Sequence, residues 1–245
     1  MNKNFKKDSF WVGGKFTVLE IIKNAKRKIH QIIVHEKNKK VLDEFNFKNI
    51  QVKIENDKFF DKLFKKDLDI HQGFAAEVEK LEKIDLISKI NQLNNNGLFL
   101  ILDGISDSRN IGSIIRSSAA LNCDGILIEK KNYNYKNNLM FRSASGMTEV
   151  IDVIPIVNIS SAIQILKRNN FWVYGMDAKG KKDIHELKFP SKVAFVFGSE
   201  TNGIKNLVAK NCDEILKIKI NKKTESLNIS NAVSITLAFA NVNKK

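Results

Sequence analysis

Three stretches of the 245-residue chain combine short polar side chains, charges and glycines in the manner of ligand-binding loops. The first runs Leu102-Asp103-Gly104-Ile105-Ser106-Asp107-Ser108-Arg109-Asn110-Ile111-Gly112-Ser113-Ile114-Ile115-Arg116. An apolar run ends in Asp103-Gly104 and a helix is expected from about Asn110. Asn110, Gly112 and Arg116 then stand at the carboxyl end of a strand, or one to two turns beyond it, where open α/β sheets bind ligands. Asn is also a favoured N-cap, the commoner role for such a residue. Arg116 sits between Ile114, Ile115 and Ala119, and a charge set among apolar residues on a helix over buried strands calls for a partner.

The second stretch is Phe197-Gly198-Ser199-Glu200-Thr201-Asn202-Gly203. Its glycines let backbone approach a ligand closely while Glu200 is presented at the sheet edge; a capped turn with an acid facing the helix dipole explains it equally well. The third runs from Ile218 through a basic loop to Ser226-Leu227-Asn228-Ile229-Ser230. Ser226, Asn228 and Ser230 are all cap-competent and only one can be the N-cap, so the others are expected to point at something besides the helix.

Other chemistries lack their residues. Neither G-x-G-x-x-G nor G-x-x-x-x-G-K-[ST] follows any apolar run, which removes the ordinary dinucleotide fold and the P-loop. No G-x-S-x-G occurs. Cys123 and Cys212 stand far apart, and His30, His35, His71 and His185 form no H-E-x-x-H and lie near no cysteine, so no metal site is expected. No apolar run reaches the roughly 18 residues of a membrane span and the basic start lacks an apolar leader core, so the expectation is a cytoplasmic protein.

The elements that must position these residues alternate in period. Near the start, Phe16 to Ile22 predict a helix after Gly13-Gly14. Strands at Ile29–Val34 and Gln51–Ile54 and helices at Val41–Phe45 and Lys58–Phe64 follow, together a small α/β sandwich. Further on, Leu98–Asp103, Gly125–Ile128, Phe171–Met176, Val193–Phe197 and Glu214–Ile218 are apolar at almost every position. That is the mark of parallel strands buried on both faces, with helices at Ile111–Leu121, Ser160–Asn169, Ile204–Ala209 and Ser230–Asn241 to cover them. Between the two lies an amphipathic stretch carrying Leu81, Ile84, Leu86, Ile87, Ile90 and Leu93, stopped by Asn94-Asn95-Asn96-Gly97. The organisation predicted is an N-terminal domain over 1–72, a linker over 73–96 and a C-terminal domain over 97–245.

Charge names the class of partner. The chain carries 41 Lys and Arg against 27 Asp and Glu, a net charge of +14, which points to a polyanion. Residues 1–70 hold 17 basic and 10 acidic residues, residues 71–96 hold 3 and 4, and residues 97–245 hold 21 and 13, so two basic bodies flank a slightly acidic connector. Val233, Ile235, Leu237, Ala238 and Phe239 give the last helix more apolar face than one sheet needs, which suggests a homodimer.

In order and spacing the three stretches resemble the N-x-G-x-x-x-R, G-x-E-x-x-G and S-L-N-x-S motifs of the SpoU (TrmH) family of RNA ribose 2′-O-methyltransferases, over about residues 97–241. Trp11-Val12-Gly13-Gly14 and His71-Gln72-Gly73-Phe74-Ala75-Ala76 resemble the subgroup that methylates a guanosine ribose of bacterial large-subunit ribosomal RNA. The extra domain of that subgroup is similar to small ribosomal proteins. The resemblance implies an α/β SPOUT domain with a trefoil knot, S-adenosylmethionine as cofactor, ribosomal RNA as partner, an obligate homodimer and no metal. Matched position by position, it implies a catalytic cluster of Asn110, Arg116 and Glu200, and cofactor contacts at Gly198, Ile218 and Leu227 with Ser226 and Asn228 beside them. Ser108, Thr201 and Lys219 replace a frequent Pro, Gly and Pro of the family pattern. Transfer RNA as substrate, or a non-catalytic RNA-binding or assembly protein on the same fold, are the alternative readings.

Overall fold

The computed structural model describes residues 9–44, 50–65, 68–221 and 223–242. Contacts divide the chain into two units, Met1–Glu82 with Tyr135–Val150, and Lys83–Asn134 with Ile151–Lys245.

The first unit contains β1 (Phe10–Gly13), α1 (Lys15–Asn24), β2 (Ile29–His35), β3 (Gln51–Glu55), α2 (Asp57–Phe64), α3 (Leu68–His71) and β4 (Phe74–Val78). Its mixed sheet has the order β1-β4-β2-β3, with β4 antiparallel to both neighbours and β2 parallel to β3. Phe60 and Phe64, spaced one turn apart on α2, pack on Ile33 and Ala75. Between β2 and β3 the predicted α-helix is a 3-10 stretch over Glu36–Glu44 instead, and Phe45 lies outside the described residues. Glu36-Lys37-Asn38-Lys39-Lys40 offers no apolar stripe to hold an α-helix against a core.

β4 falls in the stretch assigned from sequence to the linker. Phe-Ala-Ala-Glu-Val has little β-branched character, yet all five residues are buried inside the sheet. Its buried Glu77 is satisfied by Ser9 Oγ and Gln31 Nε2, each donating at 2.9 Å.

The second unit opens with α4 (Leu86–Asn91), β5 (Gly97–Asp103), α5 (Ser108–Ala120) and β6 (Gly125–Glu129). The chain then contributes α6 (Asn138–Ala144) to the first unit before β7 (Asp152–Ile156), α7 (Ile159–Arg168), β8 (Trp172–Met176), β9 (Lys182–Asp183), β10 (Lys192–Gly198), α8 (Asn206–Asn211), β11 (Glu214–Lys217) and α9 (Ile229–Val242). The seven strands run parallel in the order β7-β6-β5-β10-β8-β11-β9. β5 is buried at every residue and β10 at all but its first, as strands covered on both faces must be. α4 is shorter than predicted and ends on Gln92 in the right-handed region, so no left-handed stop forms at Asn94–Asn96.

Within the first unit, residues 135–150 are held by specific contacts. Gly13 N donates to Asn138 Oδ1 at 3.2 Å and Thr17 Oγ1 donates to the Phe141 carbonyl at 3.3 Å. Arg27 Nε reaches both oxygens of Glu149, at 2.9 and 2.8 Å, with both side chains almost fully buried.

Candidate active site

All parallel strands deliver their carboxyl ends to one edge of the sheet, and the three motif stretches leave that edge from β5, β10 and β11. In the first, Asp107 is the N-cap of α5, its Oδ1 accepting from Asn110 N at 2.8 Å. Ser108 opens the helix at the position Pro also favours. Asn110 is therefore not the cap, and its side chain is turned to other use.

In the second stretch Gly198 has no room for a side chain, because a Cβ there would lie 1.9 Å from the Gly203 carbonyl carbon. Gly203, at φ +63°, folds back so that its N–H donates to the Ser199 carbonyl at 2.8 Å. The tight loop lifts Glu200 toward α9, where Oε1 accepts from Ile229 N at 3.2 Å. A carboxylate at a helix N-terminus also complements the helix dipole.

The third stretch resolves the choice of cap. Asn228 Oδ1 accepts from Ser230 N at 2.9 Å and from Ser230 Oγ at 2.6 Å, and its carbonyl accepts from Asn231 N and Ala232 N. Its Nδ2 donates to Asn110 Oδ1 at 3.1 Å and to Glu200 Oε1 at 3.3 Å. One side-chain amide thus caps α9 and joins all three motifs.

Arg116 is placed differently from the sequence argument. α5 buries Ile111, Gly112, Ile114, Ile115 and Ser118, and the helical period leaves Arg109 and Arg116, seven residues apart, on one exposed face. Arg116 is exposed. Its neighbours in sequence point inward while it points out.

Beside the cluster is a cavity of about 360 Å³. Gly198, Glu200, Ile218, Ser226 and Leu227 line it, whereas Asn110, Arg116 and Asn228 do not. Met176, the last residue of β8, and Asp177 and Lys179, from the loop that follows, also line it and were missed. The carboxyl-end rule applied to β8 is the signal that points to them. Among the described residues no group of three His, Cys, Asp or Glu side chains could hold a metal ion, and no helix is long and apolar enough to cross a membrane.

At the root of the site, the buried Asp103 at the end of β5 accepts from Lys205 N at 2.8 Å and from Lys205 Nζ at 2.5 Å. The same ammonium lies 3.3 Å from Glu129 at the end of β6. The hydrogen bond to Asp103 raises the Lys205 ammonium above the usual lysine range. Burial pushes the Glu129 carboxyl up, but hydrogen bonds from Lys131 and Lys205 outweigh it and hold the group low.

Comparison with known proteins agrees with this geometry. Residues 97–238 match the SpoU rRNA methylase family, and residues 11–84 match the RNA 2′-O ribose methyltransferase substrate-binding family. The chain belongs to the SpoU rRNA methylase family. It is 30% identical over 243 residues to the 23S rRNA (guanosine-2′-O-)-methyltransferase RlmB of Xylella fastidiosa strain 9a5c, covering 94% of this chain and 95% of that protein. Among solved structures, the SpoU methyltransferase AviRb of Streptomyces viridochromogenes superposes with a TM-score of 0.80 at 18% identity, over 99% of this chain and 92% of that one. The AdoMet-bound rRNA methyltransferase of Sinorhizobium meliloti superposes with 0.78 at 19% identity, over 95% and 87%. Both share the fold of this SpoU chain.

Proposed function

We propose that this protein transfers a methyl group from S-adenosylmethionine to a ribose 2′-hydroxyl, that of a guanosine, in large-subunit ribosomal RNA. The observation that carries the reading is the meeting of Asn110, Glu200 and Asn228 through one amide beside the cavity. The cofactor fits the residues present. The cavity lies within the roughly 300–1,000 Å³ of small-molecule sites. Phe197, Ile218 and Leu227 offer apolar walls for a purine, and Asp177 and Glu225 bring negative charge toward a cationic ligand. Gly198 and Leu227 present backbone for its polar edges.

When bound, the cofactor supplies an electrophilic methyl on a sulfonium sulfur. Asn110 and Glu200, locked together by Asn228, orient the substrate ribose. As the O–CH3 bond forms and the S–CH3 bond breaks to leave a neutral thioether, the 2′-hydroxyl proton passes to water, and Arg116 stabilises the negative charge that develops on the 2′-oxygen while clamping a phosphate in a bidentate fork. A guanidinium stays charged in proteins and is an unsuitable proton acceptor, so the clamp is the role assigned to Arg116. Arg109, on the same exposed face of α5, extends the basic surface along the RNA strand.

The N-terminal domain, with its net charge of +7 over residues 1–70, is the RNA-recognition module in this reading, followed by the linker and the catalytic domain. The working form is a cytoplasmic homodimer. Ile235, Ala238 and Val242 form an exposed stripe at helical spacing on α9, a face suited to a second copy. The family's trefoil knot is part of the reading as well.

Binding of large-subunit rRNA and of tRNA at increasing salt, with calorimetry of the cofactor alone, tests the reading. Tight cofactor binding and steeply salt-dependent binding that favours rRNA are expected. Preference for tRNA would move the substrate, and absence of cofactor binding would make the protein an RNA-binding module without turnover.

A further inference from the structure

We propose that Lys205 is a positioning residue for methyl transfer, acting through the buried Asp103 to fix the Glu200 loop against the turn that carries Asn110. The inference rests on the methyltransferase reading and adds a residue outside its three motifs. Asp103 is the last residue of β5 and its side chain is fully buried. Both carboxylate oxygens are taken by Lys205, one by the backbone N–H at 2.8 Å and one by the ammonium at 2.5 Å. Lys205 closes the loop that Ser199 opens, and the other foot of that loop is shut by the Ser199–Gly203 bridge. Glu200 therefore rides on a loop held at both feet.

Asp103 also leads the first motif. Gly104 follows at φ +73°, and Asp107 then caps α5 to set Asn110. One lysine thus sets the distance between the two strand ends whose loops Asn228 joins. Glu129, at the end of β6, anchors the same ammonium from a third strand at 3.3 Å and is itself held by Lys131 at 3.2 Å. A buried carboxylate that loses its cation must take up a proton, admit water or move, and each of these shifts the loop it anchors.

The test assays Lys205→Met, Lys205→Arg and Asp103→Asn with cofactor and large-subunit rRNA, and follows amide exchange at Gly203 and Ile229. Displacing a reacting arrangement by a fraction of an ångström to one ångström costs up to about 100-fold, so Lys205→Met is expected to lower kcat about 30-fold. KM for RNA should change less than about threefold, because the lysine ammonium is already engaged by Asp103 and Glu129. Lys205→Arg keeps the charge and offers a fork to Asp103 and Glu129, and recovers most of the rate. Exchange at Gly203 and Ile229 quickens in Lys205→Met, and adding Asp103→Asn to that variant costs no more than the worse single change.

An unchanged kcat with only a lowered melting temperature would make the pair structural and overturn the proposal. A rate loss with exchange at Gly203 and Ile229 unaltered would also overturn it. If Lys205→Met does not fold, Glu129→Gln decides: a lower kcat at steady KM supports the positioning role and an unchanged kcat refutes it. A parent protein that methylates no RNA would sink the methyltransferase reading, while the exchange measurements would still decide whether Lys205 holds the Glu200 loop.

Discussion

Asn228 donates its side-chain amide to Asn110 across 118 residues of sequence, at 3.1 Å, and the same nitrogen lies 3.3 Å from Glu200. The helix cap and the link between motifs are therefore one side chain. Stability and activity should separate when only the donor is changed. Asp is as good an N-cap as Asn, so Asn228→Asp should hold the melting temperature within a few degrees, yet it sets a second carboxylate against Glu200. Methyl transfer is expected to fall at least about tenfold, a loss near 1.4 kcal/mol. Asn228→Ala should lose the cap as well, costing about 1 kcal/mol of stability in urea unfolding.

Arg116 carries the largest expected effect on rate. Arg116→Ala should lower kcat by about two orders of magnitude, near 3 kcal/mol, with cofactor affinity by calorimetry unchanged. Lysine loses the bidentate fork, so Arg116→Lys should recover little. Substantial recovery by lysine that grows with pH would assign Arg116 the base role instead.

The buried pair of Arg27 and Glu149 predicts a stability effect without a change in chemistry. Arg27→Met leaves Glu149 buried without its cation and should cost about 3–5 kcal/mol, whereas Arg27→Met with Glu149→Leu should restore most of it. Urea unfolding of the three proteins reads this directly. The pair also bears on truncation: removing the N-terminal residues would strip the cover from Met140 and Phe141, which are buried on α6. Charge reversal on the N-terminal surface is the cleaner test of RNA recognition.

Acid should weaken the protein partly through Glu129. Its folded-state carboxyl is held below the usual range, so its stabilising contribution is complete above the unfolded value of about 4.3 and is lost as pH falls through the folded one. The stability gap between the parent and Glu129→Gln should stay constant from about pH 7 to 5 and close below about pH 4.5. Urea midpoints measured across that range check it, and a gap that widens in acid would refute the assignment.

Much of this was legible because burial on both faces leaves a plain signal. β5 and β10 read as apolar runs and are the central strands of the parallel sheet. β7 was hidden by Pro155, which edge strands tolerate, and β4 by Ala75-Ala76-Glu77, whose place in the sheet is set by tertiary pairing to β1 and β2. The motifs named Asn110, Glu200 and Asn228, but not the hydrogen bonds joining them, because those depend on where distant loops cross. Arg116 was misjudged on burial, since its neighbours in sequence face inward and it faces out. The packing of residues 135–150 on the N-terminal strands left no mark in the period, because α6 supplies only two turns of helix.

The most direct test digests large-subunit rRNA to nucleosides after incubation with labelled cofactor and separates the products. The account predicts label in 2′-O-methylguanosine at one position, formed about 100-fold more slowly with Arg116→Ala and at least about tenfold more slowly with Asn228→Asp. Label on a base, or in tRNA with none in rRNA, would contradict it.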